Sequence, residues 1–185
     1  MKTVGVLALQ GNFEAHRKAM ARAGARTIEV RTADDLNQID GLIIPGGEST
    51  TMLKLLDMEN LFEPLKKFAH EKPVFGTCAG AIWLANDVSS PRQKSLEAMD
   101  IAVERNAYGR QIDSRIAKVP VDGDGEVEAV FIRAPIIRST SPAAKVIARY
   151  QGDPVWIEQG KHMVTTFHPE LTDDIRVHER FLKKL

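Results

Sequence analysis

Cys78 is the only cysteine in the chain and stands in the string Gly76-Thr77-Cys78-Ala79-Gly80. The apolar Pro73-Val74-Phe75-Gly76 before it reads as a strand, and Ala79 to Asn86 after it reads as a helix. Small residues on both sides permit the sharp turn of a nucleophile elbow, which lifts the side chain out of the sheet. At a helix start, unpaired N–H groups and the helix dipole favour an anionic sulfur. Most free cysteines are small core residues. The strand–Gly-x-Cys-x-Gly–helix setting argues instead for a nucleophile.

A thiolate that performs acyl transfer needs a proton shuttle, and five histidines are available. His16 and His178 fall on helical patterns, where a structural or half-exposed role is expected. His70 lies at a helix end beside Glu71-Lys72 and is expected in solvent. His162 precedes a strand and suggests no role. His168 ends the apolar run Met163 to Phe167 and is followed by Pro169-Glu170. Residues i and i+2 of an extended segment point the same way, and proline keeps the segment extended. Glu170 can therefore reach one imidazole nitrogen while the other faces a nucleophile, which is triad logic with a cysteine.

The third feature is Pro45-Gly46-Gly47-Glu48-Ser49-Thr50-Thr51. Paired glycines let backbone N–H groups face a ligand. The Gly-x-x-x-x-Gly-Lys-Ser/Thr pattern of a phosphate loop is missing. An oxyanion hole, with one N–H from this loop and one from Ala79, is the better reading. An ordinary strand-ending turn stays open as the plain alternative. No Cys-x-x-Cys or His-Glu-x-x-His occurs, so neither a metal site nor dithiol redox chemistry is indicated.

Elements must bring these segments together. Thr3 to Leu9, Thr27 to Arg31, Gly41 to Ile44 and Val74 to Gly76 read as strands. Helical patterns lie between them: one that Asn12 can cap and Gly24 ends, a short one with capping-box spacing at Thr32 and Asp35, then Met52–Leu56 and Leu61–His70. This βαβα order predicts an α/β fold of three layers, a mainly parallel central sheet with helices on both faces. Ligands in such sheets sit at the carboxyl ends of strands, where Gln10-Gly11, Pro45 to Thr51 and Thr77-Cys78-Ala79 all fall. From Ile101 to Phe167 the pattern changes to extra short strands, with turn signals at Asp122-Gly123-Asp124-Gly125 and Gln151-Gly152-Asp153-Pro154. A helix is expected from Thr172 to Leu185.

The 185 residues fit one domain spanning 1–185, long enough to bury a core without staples. Lys and Arg total 25, as do Asp and Glu, so no global field gathers nucleic acid or an anionic membrane. A single cysteine excludes an intrachain disulfide and favours a reducing compartment. The apolar N-terminal run is short for a signal peptide and no stretch is long enough to span a bilayer, so a cytoplasmic protein is expected.

The cysteine string together with His168-Pro169-Glu170 resembles the triad class of glutamine amidotransferases. Further strings narrow the likeness: Leu7-Ala8-Leu9-Gln10-Gly11, Pro45 to Thr51, Val103-Glu104-Arg105-Asn106, Tyr108-Gly109-Arg110-Gln111, Phe131-Ile132-Arg133-Ala134-Pro135 and Phe167 to Thr172. Together they resemble the glutaminase subunits of pyridoxal 5′-phosphate synthase over nearly the whole chain. Glu97, where glycine is expected, and the polar stretch Val88 to Lys94 depart from that pattern.

The resemblance implies a flavodoxin-like, class I amidotransferase fold. It also implies that Cys78 attacks the side-chain amide of L-glutamine, with His168 as proton shuttle and Glu170 orienting it. Gly47 and Ala79 are the implied oxyanion donors, and Gly47, Glu48, Ser49, Arg105, Ile132 and Arg133 the implied glutamine contacts. Gln10 is placed toward a partner, a separate synthase subunit that consumes the ammonia. Pyridoxal 5′-phosphate is then a product of the complex, and no cofactor is expected on this chain. Other readings stay open on the residues alone: the glutaminase subunit of another amidotransferase, a cysteine-nucleophile peptidase, γ-glutamyl hydrolase or glyoxalase-like member of the same architecture, and an interaction protein with a relic site.

Overall fold

The computed structural model describes residues 1–107 and 114–185. The first half runs β1 (Thr3–Leu7), α1 (Phe13–Arg22), β2 (Arg26–Val30), β3 (Gly41–Ile44), α2 (Ser49–Met58), α3 (Phe62–Glu71), β4 (Val74–Thr77) and α4 (Ala79–Leu84). The second half runs β5 (Ala85–Ser89), β6 (Met99–Glu104), β7 (Arg115–Pro120), β8 (Glu126–Phe131), β9 (Ile136–Thr140), β10 (Lys145–Tyr150), β11 (Asp153–Gln159), β12 (His162–Thr165) and α5 (Arg176–Leu182). The central sheet has the order β10-β11-β12-β4-β3-β1-β2. From β12 to β2 the pairs are parallel, and β10 and β11 extend one edge antiparallel. The expected α/β architecture is therefore present, with a second small sheet, β5-β6-β9, and a β7-β8 hairpin added by the second half.

The strand pleat sorts side chains to two cores. Leu42 and Ile44 of β3, Val74 of β4 and Val164 of β12 pack with the buried faces of α2, α3 and α4. Ile43, Phe75 and Met163, the intervening residues, pack with Val4 and Val6 of β1, Met20 of α1 and Phe181 of α5. Strands buried on both faces read as unbroken apolar runs, which is why β3 and β4 were visible in sequence. Both expected turns join antiparallel hairpins, β7-β8 and β10-β11.

Several local expectations are corrected. Asn12 occupies the N-cap of α1 but makes no side-chain capping bond. Thr32 does not open a capping box: the Asp35 carboxylate accepts from the Arg31 and Thr32 N–H groups and the Thr32 hydroxyl, and a 3-10 turn spans Asp34–Gln38. The helix after Cys78 stops at Leu84, because Ala85 begins β5 and pairs with Met99. The last helix starts at Arg176, four residues later than expected. Thr172 and Asp174 instead accept local backbone hydrogen bonds, from Asp174 and Arg176, which compete with helix.

The two departures from the family pattern have structural settings. Glu97 lies at φ +54°, a left-handed conformation natural to glycine, and its carboxylate accepts from Lys66 at 2.5 Å. The Val88–Lys94 stretch braces the site from outside: Gln93 accepts from the Ser49 hydroxyl at 2.9 Å, and the Pro91 carbonyl accepts from Arg105 at 3.5 Å.

Close crossing at the elbow depends on glycine. A Cβ on Gly76 would lie 2.3 Å from the Gly80 carbonyl oxygen, and one on Gly80 would lie 2.2 Å from the Ile44 carbonyl oxygen. Both obstacles are backbone and cannot turn aside. Gly76→Ala is therefore expected to destabilise the fold by about 1–3 kcal/mol through overpacking. The check is a urea unfolding midpoint. A midpoint equal to wild type would show that β4 and α4 have room to separate.

Candidate active site

Parallel strands direct their carboxyl ends to one edge of the sheet, and the loops after β1, β3, β4 and β12 meet there. They enclose, with the β8–β9 loop and the end of β6, a cleft of about 360 Å³. Its lining includes Cys78, Ala79, His168, Gly46 and every residue expected to contact glutamine: Gly47, Glu48, Ser49, Arg105, Ile132 and Arg133. Gly11, Asn12, Ile82, Asn106 and Pro135 also line it and were not among the residues expected to contact glutamine.

Cys78 sits at φ +50°, ψ −109°, a conformation that costs a non-glycine residue roughly 1–3 kcal/mol. Its N–H is tied to the Thr165 carbonyl of β12 at 2.9 Å. Its sulfur lies 3.8 Å from the Ile132 carbonyl oxygen. This is the elbow geometry, with Ala79 as the first residue of α4 and its N–H free of any intrahelical acceptor.

His168 follows β12 and is held by its own N–H to the Val130 carbonyl of β8 at 2.8 Å. Its Nδ1 lies 2.7 Å from Glu170 Oε1. The other ring nitrogen is left for the thiol. Burial works to lower the His168 pKa, but hydrogen bonds to Cys78 and Glu170, with their charges, raise it to about 10. Both neighbours thus favour the protonated ring beside the sulfur. Gly46 makes this approach feasible, since a Cβ there would fall 2.6 Å from His168 Cε1 and 3.1 Å from Cys78 Cβ.

The cleft mouth carries the polar groups. Gly47 is exposed at φ +145°, and a Cβ there would meet the Gln10 side chain, whose Nε2 donates to the Glu48 carbonyl at 2.6 Å. Gln10 is thereby coupled to the glycine loop without lining the cleft itself. The Glu48 carboxylate caps α2, accepting from the Thr50 and Thr51 N–H groups and the Thr51 hydroxyl. Partial burial would raise its pKa, but these bonds lower it to about 2. Arg105 donates to the Thr50 hydroxyl at 2.8 Å and lies 3.8 Å from Glu48, while Arg133 is exposed at φ +44°. Tyr108-Gly109-Arg110-Gln111 lies outside the described residues.

Two histidines lie behind the site. His16 of α1 and His178 of α5 are fully buried, which fits the structural of the two roles expected for them. His16 Nδ1 lies 3.0 Å from His178 Nε2, and His16 Nε2 lies 3.1 Å from Thr77 Oγ1 and 3.4 Å from Glu170 Oε2. The available signal was position: both fall on the apolar face of an amphipathic helix. His162, also buried, accepts the Val74 N–H at 3.2 Å, and His70 is exposed as expected.

A doubly covered parallel sheet with a cysteine elbow and a facing His–Glu pair defines a class I glutamine amidotransferase architecture. The SNO glutamine amidotransferase family model matches residues 6–185, and the chain belongs to that family. It is 61% identical to the "Pyridoxal 5'-phosphate synthase subunit PdxT" of Solibacter usitatus (strain Ellin6076), covering all of both chains. It is 55% identical to the protein of the same name from Koribacter versatilis (strain Ellin345), covering 97% of this chain and 94% of that one. A solved structure described as a glutamine amidotransferase superposes with a TM-score of 0.91 at 44% identity, covering 98% of this chain and 97% of that one. PurLQS from Thermotoga maritima shares the fold at a TM-score of 0.69 and 17% identity, covering 99% of both chains. Among the described residues, no helix is long and apolar enough to cross a membrane.

The buried carboxylate sets an acid limit on stability. Burial would raise the Glu170 pKa, but the facing His16 ring and the hydrogen bond and charge of His168 lower it to about 2, against 4.5 ordinarily. A lowered carboxyl pKa stabilises the fold above the unfolded value, and that stability is lost as pH falls from about 4.5 to about 2. Glu170→Gln is expected to be less stable than wild type at pH 7, with the gap closing through that window. Urea midpoints of both proteins at pH 7, 5, 4 and 3 check this. A gap constant with pH would mean that Glu170 is not ionised in the fold.

Proposed function

We propose that this chain hydrolyses L-glutamine to glutamate and ammonia and supplies the ammonia to a pyridoxal 5′-phosphate synthase subunit, in the cytoplasm. One observation carries the chemistry: an elbow cysteine opens into an amino-acid-sized cleft opposite a histidine whose far nitrogen is held by a buried carboxylate. The full-length likeness to proteins named as synthase subunits carries the destination of the ammonia.

The steps follow from the positions. With its proton held by His168, the Cys78 sulfur attacks the glutamine side-chain carbonyl carbon, and a carbon–sulfur bond forms. The developing oxyanion is met by the Ala79 N–H and, once turned inward, by a Gly47 peptide N–H. His168 delivers its proton to the departing nitrogen, the carbon–nitrogen bond breaks, and ammonia leaves a γ-glutamyl thioester. Water then attacks the thioester while His168 takes its proton, the carbon–sulfur bond breaks, and glutamate leaves with the starting Cys78–His168 pair and its one shared proton restored. Glu170 keeps Nδ1–H occupied so that the opposite nitrogen does the shuttling. Arg105 and Arg133 suit the substrate carboxylate, and Glu48, Ser49 and the Ile132 carbonyl suit its ammonium and amide. Pyridoxal 5′-phosphate is a product of the complex in this reading, and this chain carries no cofactor.

Cys78→Ala should lower ammonia release by about four orders of magnitude or more with the fold intact, since alanine fits the turn. Glu170→Gln should cost less than His168→Ala, because the base remains. Glutamine-dependent glutamate production by each purified variant decides the matter. Activity surviving in Cys78→Ala, or the reverse ranking, would overturn the assignment.

The Gln10–Glu48 contact ties the glycine loop to a neighbouring strand-end loop that a docking subunit can reach. One oxyanion donor is worth ~10²–10³ in rate. Glutaminase activity of the isolated chain should therefore be weak and rise clearly on adding the synthase subunit at saturating glutamine. Equal rates with and without it would reject control by docking.

A further inference from the structure

We infer that His16 and His178 are positioning residues for glutamine hydrolysis: a neutral imidazole relay, His178 to His16 to Glu170, that fixes the carboxylate behind His168. The inference rests on the proposed function and adds two residues that never reach the cleft.

Hydrogen-bond accounting sets the direction of the relay. Glu170 Oε1 is occupied by His168, while Glu170 Oε2 is buried and makes no conventional hydrogen bond. His16 Nε2 faces it at 3.4 Å, with Thr77 Oγ1 at 3.1 Å from the same nitrogen. If Nε2 carries the proton, its N–H bonds Thr77 Oγ1 and presents its positive edge to Glu170 Oε2. His16 Nδ1 is then an acceptor, and His178 Nε2–H supplies it at 3.0 Å. The His178 Nδ1 lone pair is then left over, and it has no partner.

The opposite assignment sets a lone pair of His16 against the Glu170 carboxylate and leaves an N–H of His178 buried without an acceptor. An unmade buried donor costs about 1–3 kcal/mol, and a lone pair facing a carboxylate adds repulsion. The first assignment is therefore the ground state. Burial keeps both rings neutral by lowering their pKa values, that of His178 to about 3.

Every charged neighbour of this line has a place. Glu170 faces His168 on its own segment and His16 on α1. His168 faces Cys78 at the elbow. His178 on α5 faces His16 and feels the Arg22 cation at the end of α1. Helices α1 and α5, from opposite ends of the chain, thus meet behind one carboxylate. A core that needed only volume there would be filled by leucine or phenylalanine with no buried polar atoms to satisfy.

The first test is the wild-type protein, labelled with ¹⁵N-histidine and assigned by NMR between pH 6 and 8. His16 and His178 are expected as neutral Nε2–H tautomers across the range. An unprotonated Nε2 on His16, or a charged His16 ring, overturns the relay.

The second test is steady-state glutaminase kinetics in the presence of the synthase subunit, for His16→Phe, His16→Gln and His178→Phe, each normalised to folded protein. His16→Phe keeps the volume and deletes the donor. It should lower kcat roughly 10–100-fold by letting the catalytic pair drift, with KM for glutamine within about twofold. The acid limb of its kcat profile should move up by about one pH unit, since the Glu170 carboxylate loses its facing N–H. His16→Gln, which can place an amide N–H near Nε2, should recover most of the rate. His178→Phe should fall between wild type and His16→Phe, because His16 survives but its tautomer is no longer fixed.

A folded His16→Phe with wild-type kcat and an unmoved acid limb overturns the inference. So does a loss carried by KM alone. Should His16→Phe not fold, His178→Phe and the tautomers decide. No glutaminase activity in the wild-type complex would overturn the proposed function, a different failure that the tautomer measurement separates from this one.

Discussion

Everything at the cleft depends on holding Cys78 in a backbone conformation it would not choose. At φ +50° the residue carries strain, and strain persists only where the surroundings over-determine it. Three constraints do so. The Cys78 N–H is bonded to Thr165 on the neighbouring strand β12, Gly76 and Gly80 let β4 and α4 approach to backbone contact, and α4 is buried along its whole length in the core beneath. The strained residue therefore cannot relax without breaking strand pairing or opening the core. The sheet contributes to catalysis by making the sulfur position expensive to leave.

The same sheet places the partners by register. Thr165 of β12 pairs with Thr77 of β4, so the segment leaving β12 emerges beside the elbow, and His168 arrives three residues later. Ile44 of β3 pairs with Gly76 on the other side, which brings Gly46 against the imidazole. Two flanking strands thus deliver the base and the glycine loop to opposite sides of one sulfur. The hairpin β7-β8 completes the arrangement through the bond from His168 to the Val130 carbonyl. The extra strands of the second half are in this sense part of the site, since they fix the base and supply Ile132 and Arg133.

The sheet, the elbow and the His–Glu pair were legible because each rests on short-range chemistry. Continuous apolar runs mark doubly buried strands, glycines flank the bend, and proline holds His168 and Glu170 in one segment. What stayed hidden required the third dimension. Nothing local distinguishes His16 or His178 from a histidine on any amphipathic helix, and only the packing of α1 against α5 brings them together. Helix ends were misplaced for a similar reason: Ala85 leaves α4 because Met99 waits to pair with it, a partner fourteen residues away. Glu97 was noticed as an oddity in sequence, but its left-handed backbone became its reason only in the structure.

The site divides into a part that must not move and a part built to move. Cys78, His168 and Glu170 are buried and tied into strands or buried side chains. Gly47, Glu48 and Arg133 are exposed, and two of the three lie at positive φ. A glutaminase that feeds a second subunit needs this division. In the proposed reaction the nucleophile and base stay in register through both half-reactions, while the proposed oxyanion loop is the part that docking can reach. Putting the response in a glycine loop lets a peptide reorient at little steric cost while the triad stays still. The Gln10 amide, bonded to the Glu48 carbonyl, is a side-chain tie between that loop and its neighbour β1–α1 segment, and the bond is exposed where a partner can compete for it. Behind the triad, β1–α1 also presents His16 to Glu170, so a single segment meets the site at both its adjustable mouth and its fixed base.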